Sequence, residues 1–318
     1  MELIRSYHNL RPEHRGCVLT IGNFDGVHLG HQAVIAQLVQ AAQDTDLPCV
    51  LMTFEPQPRE FFTPHSAPAR LTRFREKLEI LKKLSVDRIL CLRFDQALAN
   101  LTADNFIERL LVQHLAVQSI IIGDDFHFGH GGKGNFALLK QAGRQYGFQV
   151  SKHDTYFIDG ERASSSRIRA ALAVGDFATA TMLLGRSYCM SGRVVYGDQL
   201  GRTIGFPTAN IMLGRRCSPL TGAYAVRIHG IHPQPLPGMA NIGIRPTVGG
   251  IENRLEVHIF DFKDNIYGHH VKVEFLAKIR PEQRFASIEA LKQQLQSDAA
   301  MARLMIAEHS STETNNFS

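Results

Sequence analysis

The stretch from Val18 to Gln43 constrains the fold more than any other. Val18-Leu-Thr-Ile21 is an apolar run of strand length, Gly22 ends it, and from about Leu29 the apolar residues recur at helical spacing. A strand that turns into a helix within a few residues predicts a βα unit, and with it a parallel sheet covered on both faces. Gly22, Asn23, Phe24, Asp25 and Gly26 form the turn, with His28 and His31 at the start of the helix. A helix N-terminus offers free N–H groups and partial positive charge, which suits phosphate. Two imidazoles three residues apart share a face and can donate to phosphate oxygens. Taken alone, the pattern also fits two surface histidines at a helix cap.

The unit repeats. Strands are expected near Cys17–Ile21, Cys49–Phe54, Arg88–Phe94, Val117–Gly123 and Phe148–His153, with helices near Gly30–Gln43, Leu71–Leu84, Ala103–His114 and Phe136–Tyr146. Ligands of such a sheet sit at the carboxyl ends of the strands. The unusual loops fall there: Glu55-Pro-Gln-Pro58, Asp124-Asp-Phe-His-Phe-Gly129 and Ser164-Ser-Ser-Arg-Ile-Arg169. After Gly185 the pattern changes to short strands broken by Gly and Pro, as in Ser191–Tyr196, Ala223–Ile228, Leu255–Phe260 and Val271–Phe275. That spacing predicts a small antiparallel barrel. Ser287 then opens a helix carrying Ile288, Leu291 and Leu295 on its apolar face. The expected fold is α/β plus β: a parallel-sheet domain over residues 1–185, a barrel with a terminal helix over 186–309, and a disordered polar tail over 310–318.

Composition narrows the function by exclusion. Five scattered cysteines with no CxxC spacing argue against a disulfide framework or zinc cage and for a reducing cytoplasm. No apolar run approaches the ~20 residues that span a bilayer, and Met-Glu-Leu-Ile-Arg5 is not a signal peptide. The net charge of +5 comes from dispersed basic residues, so it fits phosphorylated small molecules as well as nucleic acid. Gly129-His-Gly-Gly-Lys-Gly134 satisfies the G-x-G-x-x-G pattern, but Asp124–Phe128 separate it from the preceding strand. A dinucleotide fold needs that glycine directly after the strand. His127 and His130 have metal-pair spacing without an evident third ligand.

The motifs themselves are more specific. His28-Leu-Gly-His31 resembles the HxGH motif of nucleotidylyltransferases, and the longer Gly22–His31 segment resembles that of the prokaryotic bifunctional riboflavin kinase/FAD synthetases. Ser164-Ser-Ser-Arg-Ile-Arg169 is similar to the family's second phosphate motif, with Ala163 before it in place of Ile and Ser166 in place of Thr. The resemblance covers about residues 16–298. It implies a Rossmann-like nucleotidylyltransferase domain with Gly22, Asn23, Phe24, Asp25, His28, His31, Ser164, Ser165 and Arg169 at ATP, and Asp125, Phe126 and Phe128 at the flavin of FMN. Gly192-Arg-Val-Val-Tyr-Gly-Asp-Gln-Leu-Gly-Arg-Thr-Ile-Gly-Phe-Pro-Thr-Ala-Asn210 resembles the flavokinase domain. There Gly192, Gly197, Gly201, Thr208 and Asn210 would meet ATP, Thr208 and Asn210 would hold Mg²⁺, Glu256 would be the general base and Arg280 would border the flavin. Asn241–Thr247, Leu255–Phe260 and Lys278–Phe285 also look like family segments.

The implied activity is phosphorylation of riboflavin to FMN, then adenylylation of FMN to FAD, with ATP, riboflavin, FMN and FAD as substrates and products. The expected partners are therefore small molecules, not nucleic acid or membrane, for a monomer or weak homo-oligomer. Two alternatives remain open at this point: a single-activity adenylyltransferase whose barrel only binds, and a nucleic-acid-binding protein. Against the second, the barrel strands lack aromatic–basic alternation and Trp is absent from the chain.

Overall fold

The structure is a computed structural model that describes residues 1–123, 125–197, 200–214, 217–247 and 250–315. Asp124 of the acidic loop, Asp198 and Gln199 of the glycine-rich stretch, and residues 316–318 of the expected tail lie outside the described residues. By internal packing the chain divides into two compact units, Met1–Pro68 with Thr72–Ser165, and Ala69–Leu71 with Ser166–Ser318.

The first unit is built on β1 (Glu2–Arg5), β2 (Val18–Ile21), β3 (Cys49–Glu55), β4 (Arg88–Arg93), β5 (Ser119–Ile122) and β6 (Gln149–Lys152). All pair in parallel, in the order β1-β4-β3-β2-β5-β6. Alternate residues of the central strands feed two cores. Leu19, Val50, Leu90 and Ile120 pack on one side with Phe106, Leu110 and Leu139. Val18, Leu51, Ile89 and Ile121 pack on the other with Ile35, Leu38 and Leu81. Burial on both faces is why these strands read as unbroken apolar runs. The edge strand β1 escapes such a reading, because Ile4 is its one buried residue. β3 and β5 flank β2 on opposite sides. The winding reverses there, and the carboxyl ends of β2 and β5 border the crevice where such sheets bind ligands. A hairpin of β7 (Phe157–Ile158) and β8 (Glu161–Arg162) follows β6 and runs into the serine-rich segment.

The second unit closes β9 (Cys189–Val195), β10 (Ala209–Met212), β11 (Gly222–His229), β12 (Leu236–Thr247), β13 (Gly250–Ile259) and β14 (His270–Arg280) into an antiparallel barrel of order β10-β13-β12-β11-β14-β9. β12 is not evident from sequence because Pro237, Gly238, Gly243 and Pro246 punctuate it. On β13, Leu255, Val257 and Ile259 are buried while Glu256 and His258 between them are partly exposed. The terminal helix, Ile288–Asn315, seats Leu295, Ala299, Ala302 and Ile306 on Ala225, Met239, Phe260 and Leu276. It continues past Ser310, where the polar composition suggests a disordered tail. There Ser310 and Ser311 donate their hydroxyls back to the carbonyls of Ile306 and Ala307.

The change of sequence pattern at Gly185 and the change of packing partner at Ser165 fall at different places. The helices Ser165–Val174 and Phe177–Leu184 belong almost wholly to the second unit. Phe177 is buried edge-on to Tyr224 (5.8 Å between ring centroids) and parallel to Phe275 (6.3 Å). A fragment starting at Arg186 is therefore expected to be less stable than one starting at Ser166, by the ~3–5 kcal/mol typical of a lost buried Phe. Thermal unfolding of the two fragments checks this; equal midpoints would mean that Phe177 contributes nothing.

Candidate active sites

The turn between β2 and the helix Leu29–Thr45 is held from below by distant residues. Asp25 is buried, and its carboxylate accepts from the N–H (3.0 Å) and hydroxyl (3.4 Å) of Thr72. The Thr72 hydroxyl oxygen accepts in turn from Gly26 N–H at 3.0 Å. Lys77, 1% exposed, donates Nζ to the carbonyl of Asn23. Ser165 donates Oγ to the carbonyl of Asp25 at 2.9 Å, so the start of the serine-rich segment meets the histidine turn. Phe24 is buried, edge-on to the His31 ring at 5.2 Å.

His28 caps the helix, its Nδ1 accepting from His31 N–H at 3.3 Å. A neutral His28 with that bond carries its proton on Nε2. The His28 and His31 rings stack with centroids 3.7 Å apart. Gly30 lies close between them: a Cβ there would come 3.2 Å from the His28 ring and 3.4 Å from the carbonyl of Ala163. Burial, then the neighbouring His28, Lys77 and Arg162, holds the His31 pKa well below the ordinary imidazole value. His31 is therefore a neutral donor at physiological pH, and its buried Nδ1 has no partner among the described residues.

At the end of β5, Phe126 and Phe128 stack 5.5 Å apart, and Phe128 packs on Phe106 at 5.3 Å. They line an apolar pocket of about 250 Å³ together with Phe54, Pro58, Phe62 and Phe94. Phe62 is 60% exposed, so the aromatic wall is open to solvent. Asp125 is exposed and bridges to Arg162 at 3.0 Å. The Glu55–Pro58 loop stands out in the sequence, but Phe62 and Phe94 carry no local signal. Gly129–Gly134 is a structural loop: Phe128 and Gly134 exchange backbone hydrogen bonds across it. His127 and His130 each spend Nδ1 on a backbone carbonyl, of Asp125 and Ala99 respectively. No cluster of metal-binding side chains occurs among the described residues. Arg169 belongs to the second unit, where Nε donates to the carbonyl of Ala69 at 2.6 Å.

In the second unit a pocket of about 270 Å³ gathers Gly201, Thr208, Asn210, Glu256 and Arg280. The strand register explains this. Asn210 on β10 and Asn241 on β12 both stand opposite Glu256 on β13, which sets three polar residues in one row. Ala209 pairs with Val257, and Thr208 and His258, the residues on either side of that pair, also line the pocket. The buried Asn210 Oδ1 has no partner among the described residues. Gly197 abuts the Asn210 amide, whereas Gly192 is packed against the backbone of Met212 rather than lining the pocket. Arg280 is gripped by Asp298 of the terminal helix, at 2.9 and 3.1 Å from Nε and 2.8 Å from Nη2, and lies over the Phe285 ring. Asp298 is 2% exposed and also accepts from Gln294. Asn241, His258 and Asp298 are absent from the sequence-based site. The first two sit inside segments noted for resemblance, while Asp298 reads as one more polar helix residue.

Residues 10–167 match the family model described as FAD synthetase, and residues 184–306 match the one described as riboflavin kinase. The bifunctional riboflavin kinase/FMN adenylyltransferase of Escherichia coli (strain K12) is 53% identical over 95% of this chain and 97% of its own length. That of Pseudomonas fluorescens is 51% identical over 96% and 98%. A crystal structure reported as a macrolide-efflux protein from Streptococcus pneumoniae superposes with a TM-score of 0.78 at 32% identity, over 95% of this chain and 99% of that one.

Proposed function

The chain belongs to the family of bifunctional riboflavin kinase/FMN adenylyltransferases, and on that premise we propose which residues carry each of its two steps. It phosphorylates riboflavin with ATP to give FMN, and adenylylates FMN with ATP to give FAD and pyrophosphate. We assign adenylylation to residues 1–185 and phosphorylation to 186–309, a division supported by the two matched stretches.

For adenylylation, ATP lies along Gly22–Asp25 with its phosphates at the helix start, where His28 and His31 donate to them; Ser164 and Ser165 serve the same phosphates. The flavin enters the aromatic pocket against Phe126 and Phe128, with Asp125 at the ring edge. Catalysis here consists of holding the FMN phosphate in line with the α-phosphorus and stabilising charge on the leaving pyrophosphate.

For phosphorylation, Gly197 and Gly201 belong to the segment that follows the ATP phosphates, Glu256 takes the proton of the ribityl hydroxyl, and Arg280 borders the flavin. The hydroxyl of Thr208 and Oδ1 of Asn210 are hard oxygen donors that suit Mg²⁺, and the unpartnered Asn210 Oδ1 supports that fit. Bound there, Mg²⁺ would neutralise charge on the β- and γ-phosphates.

One observation carries the reading. Among the buried polar atoms with no partner among the described residues, His31 Nδ1 in one unit and Asn210 Oδ1 in the other belong to residues expected to meet phosphate. On this reading the partners are small molecules rather than nucleic acid, and the enzyme works in the cytoplasm as a monomer or weak homo-oligomer. No helix among the described residues is long and apolar enough to cross a membrane. Incubated with riboflavin, ATP and Mg²⁺, the protein is expected to yield FMN and then FAD, and chelation of the metal should stop both. Conversion of supplied FMN with no phosphorylation of riboflavin would leave only the single-activity alternative.

A further inference from the structure

We propose that His258 is a positioning residue of the phosphorylation step, pinning Pro207 so that Thr208 and Asn210 meet Mg-ATP in register with Glu256. The proposal rests on the reading of Thr208 and Asn210 given above. His258 lies two residues beyond Glu256 on the same face of β13, and both line the same pocket. Its Nδ1 is 2.8 Å from the carbonyl oxygen of Pro207, the residue before Thr208. A carbonyl can only accept, so Nδ1 carries the proton and donates it. Phe206 fixes the ring from one side, edge-on at 5.2 Å, and Phe260 from another at 5.7 Å.

The need for such a tie follows from the backbone. β10 begins only at Ala209, so Phe206, Pro207 and Thr208 lie outside the strand ladder, and Pro207 has no N–H to donate. Phe206 N–H bonds to Gly201 O at 2.8 Å, which anchors the start of this segment. The His258 bond anchors it one residue before the hydroxyl that faces the nucleotide. The segment that carries Thr208 is thereby tied to the strand that carries Glu256, and the distance between the nucleotide ligands and the base becomes a property of β13.

The test compares His258→Leu, which removes the donor, with His258→Asn, whose side-chain N–H₂ can replace Nδ1–H. Thr208→Ala serves as the reference, and all three are made in the full chain. FMN formation is followed against Mg-ATP and against riboflavin, with FAD synthesis from supplied FMN as the control for folding. His258→Leu is expected to raise the Mg-ATP KM about five- to tenfold, the size of one net hydrogen bond. The riboflavin KM should hold, and His258→Asn should recover most of the loss. Independently, the ¹⁵N resonances of the His258 ring, assigned by their loss in His258→Asn, should show the proton on Nδ1. A proton on Nε2, a shift in the riboflavin KM alone, or no difference between the Leu and Asn variants would overturn the proposal. If Thr208→Ala leaves the Mg-ATP KM unchanged, the assignment of Thr208 falls, while the ¹⁵N measurement still decides whether His258 holds Pro207.

Discussion

Replacing Glu256 with Gln is expected to slow FMN formation by about 10²–10⁴-fold, the usual worth of a general base. The ribityl hydroxyl is a poor nucleophile until its proton begins to leave, and phosphoryl transfer depends on how well the attacking oxygen is aimed. Glu256 is suited to both tasks because Asn210 and Asn241 stand opposite it on the two neighbouring strands, in a pocket shared with Arg280. Gln keeps the shape and can still orient the hydroxyl, but it cannot accept the proton. Riboflavin binding should therefore survive, and FAD synthesis from supplied FMN should continue at its normal rate. The measurement is product analysis with each flavin in turn. Near-normal phosphorylation by the Gln variant would reduce Glu256 to an ordinary residue of an alternating strand.

Replacement of His31 with Ala should show the reverse pattern. A donor aimed at charge that develops on the leaving group typically contributes 10²–10³ in rate, so FAD formation from FMN should fall by roughly that factor. The His31 ring is held between the His28 ring and the edge of Phe24, and its Nδ1 is buried without a partner among the described residues. Its lowered pKa keeps it neutral, so the loss should be that of a hydrogen-bond donor rather than of a fixed charge. Riboflavin phosphorylation should be unchanged. Equal losses in both reactions, or in neither, would remove His31 from the adenylylation site.

Short-range patterns are legible in the chain itself. The apolar runs of β2 to β5 declare themselves because both faces of the sheet are buried, and the strand–turn–helix step places His28 and His31 where a helix cap must lie. The barrel is visible from its turn residues, although β10 and β12 are not: one is four residues long and the other is broken by Pro and Gly.

Local patterning is enough for the two kinds of fold, their order, and the identity of the chemical groups: histidines at a helix start, a carboxylate on a strand, Thr and Asn after a proline. What surrounds those groups is set by long-range packing. Thr72 and Lys77 brace a turn some fifty residues earlier in the chain, as the bonds from Thr72 to Asp25 and from Lys77 to Asn23 record. Asp298 grips Arg280 from the terminal helix, and the strand register alone puts Asn210 and Asn241 on either side of Glu256. The reason is physical. A helix or strand period is set by neighbours in sequence, whereas the partner of a buried polar group is chosen by whichever distant backbone or side chain the packed fold brings within about 3 Å.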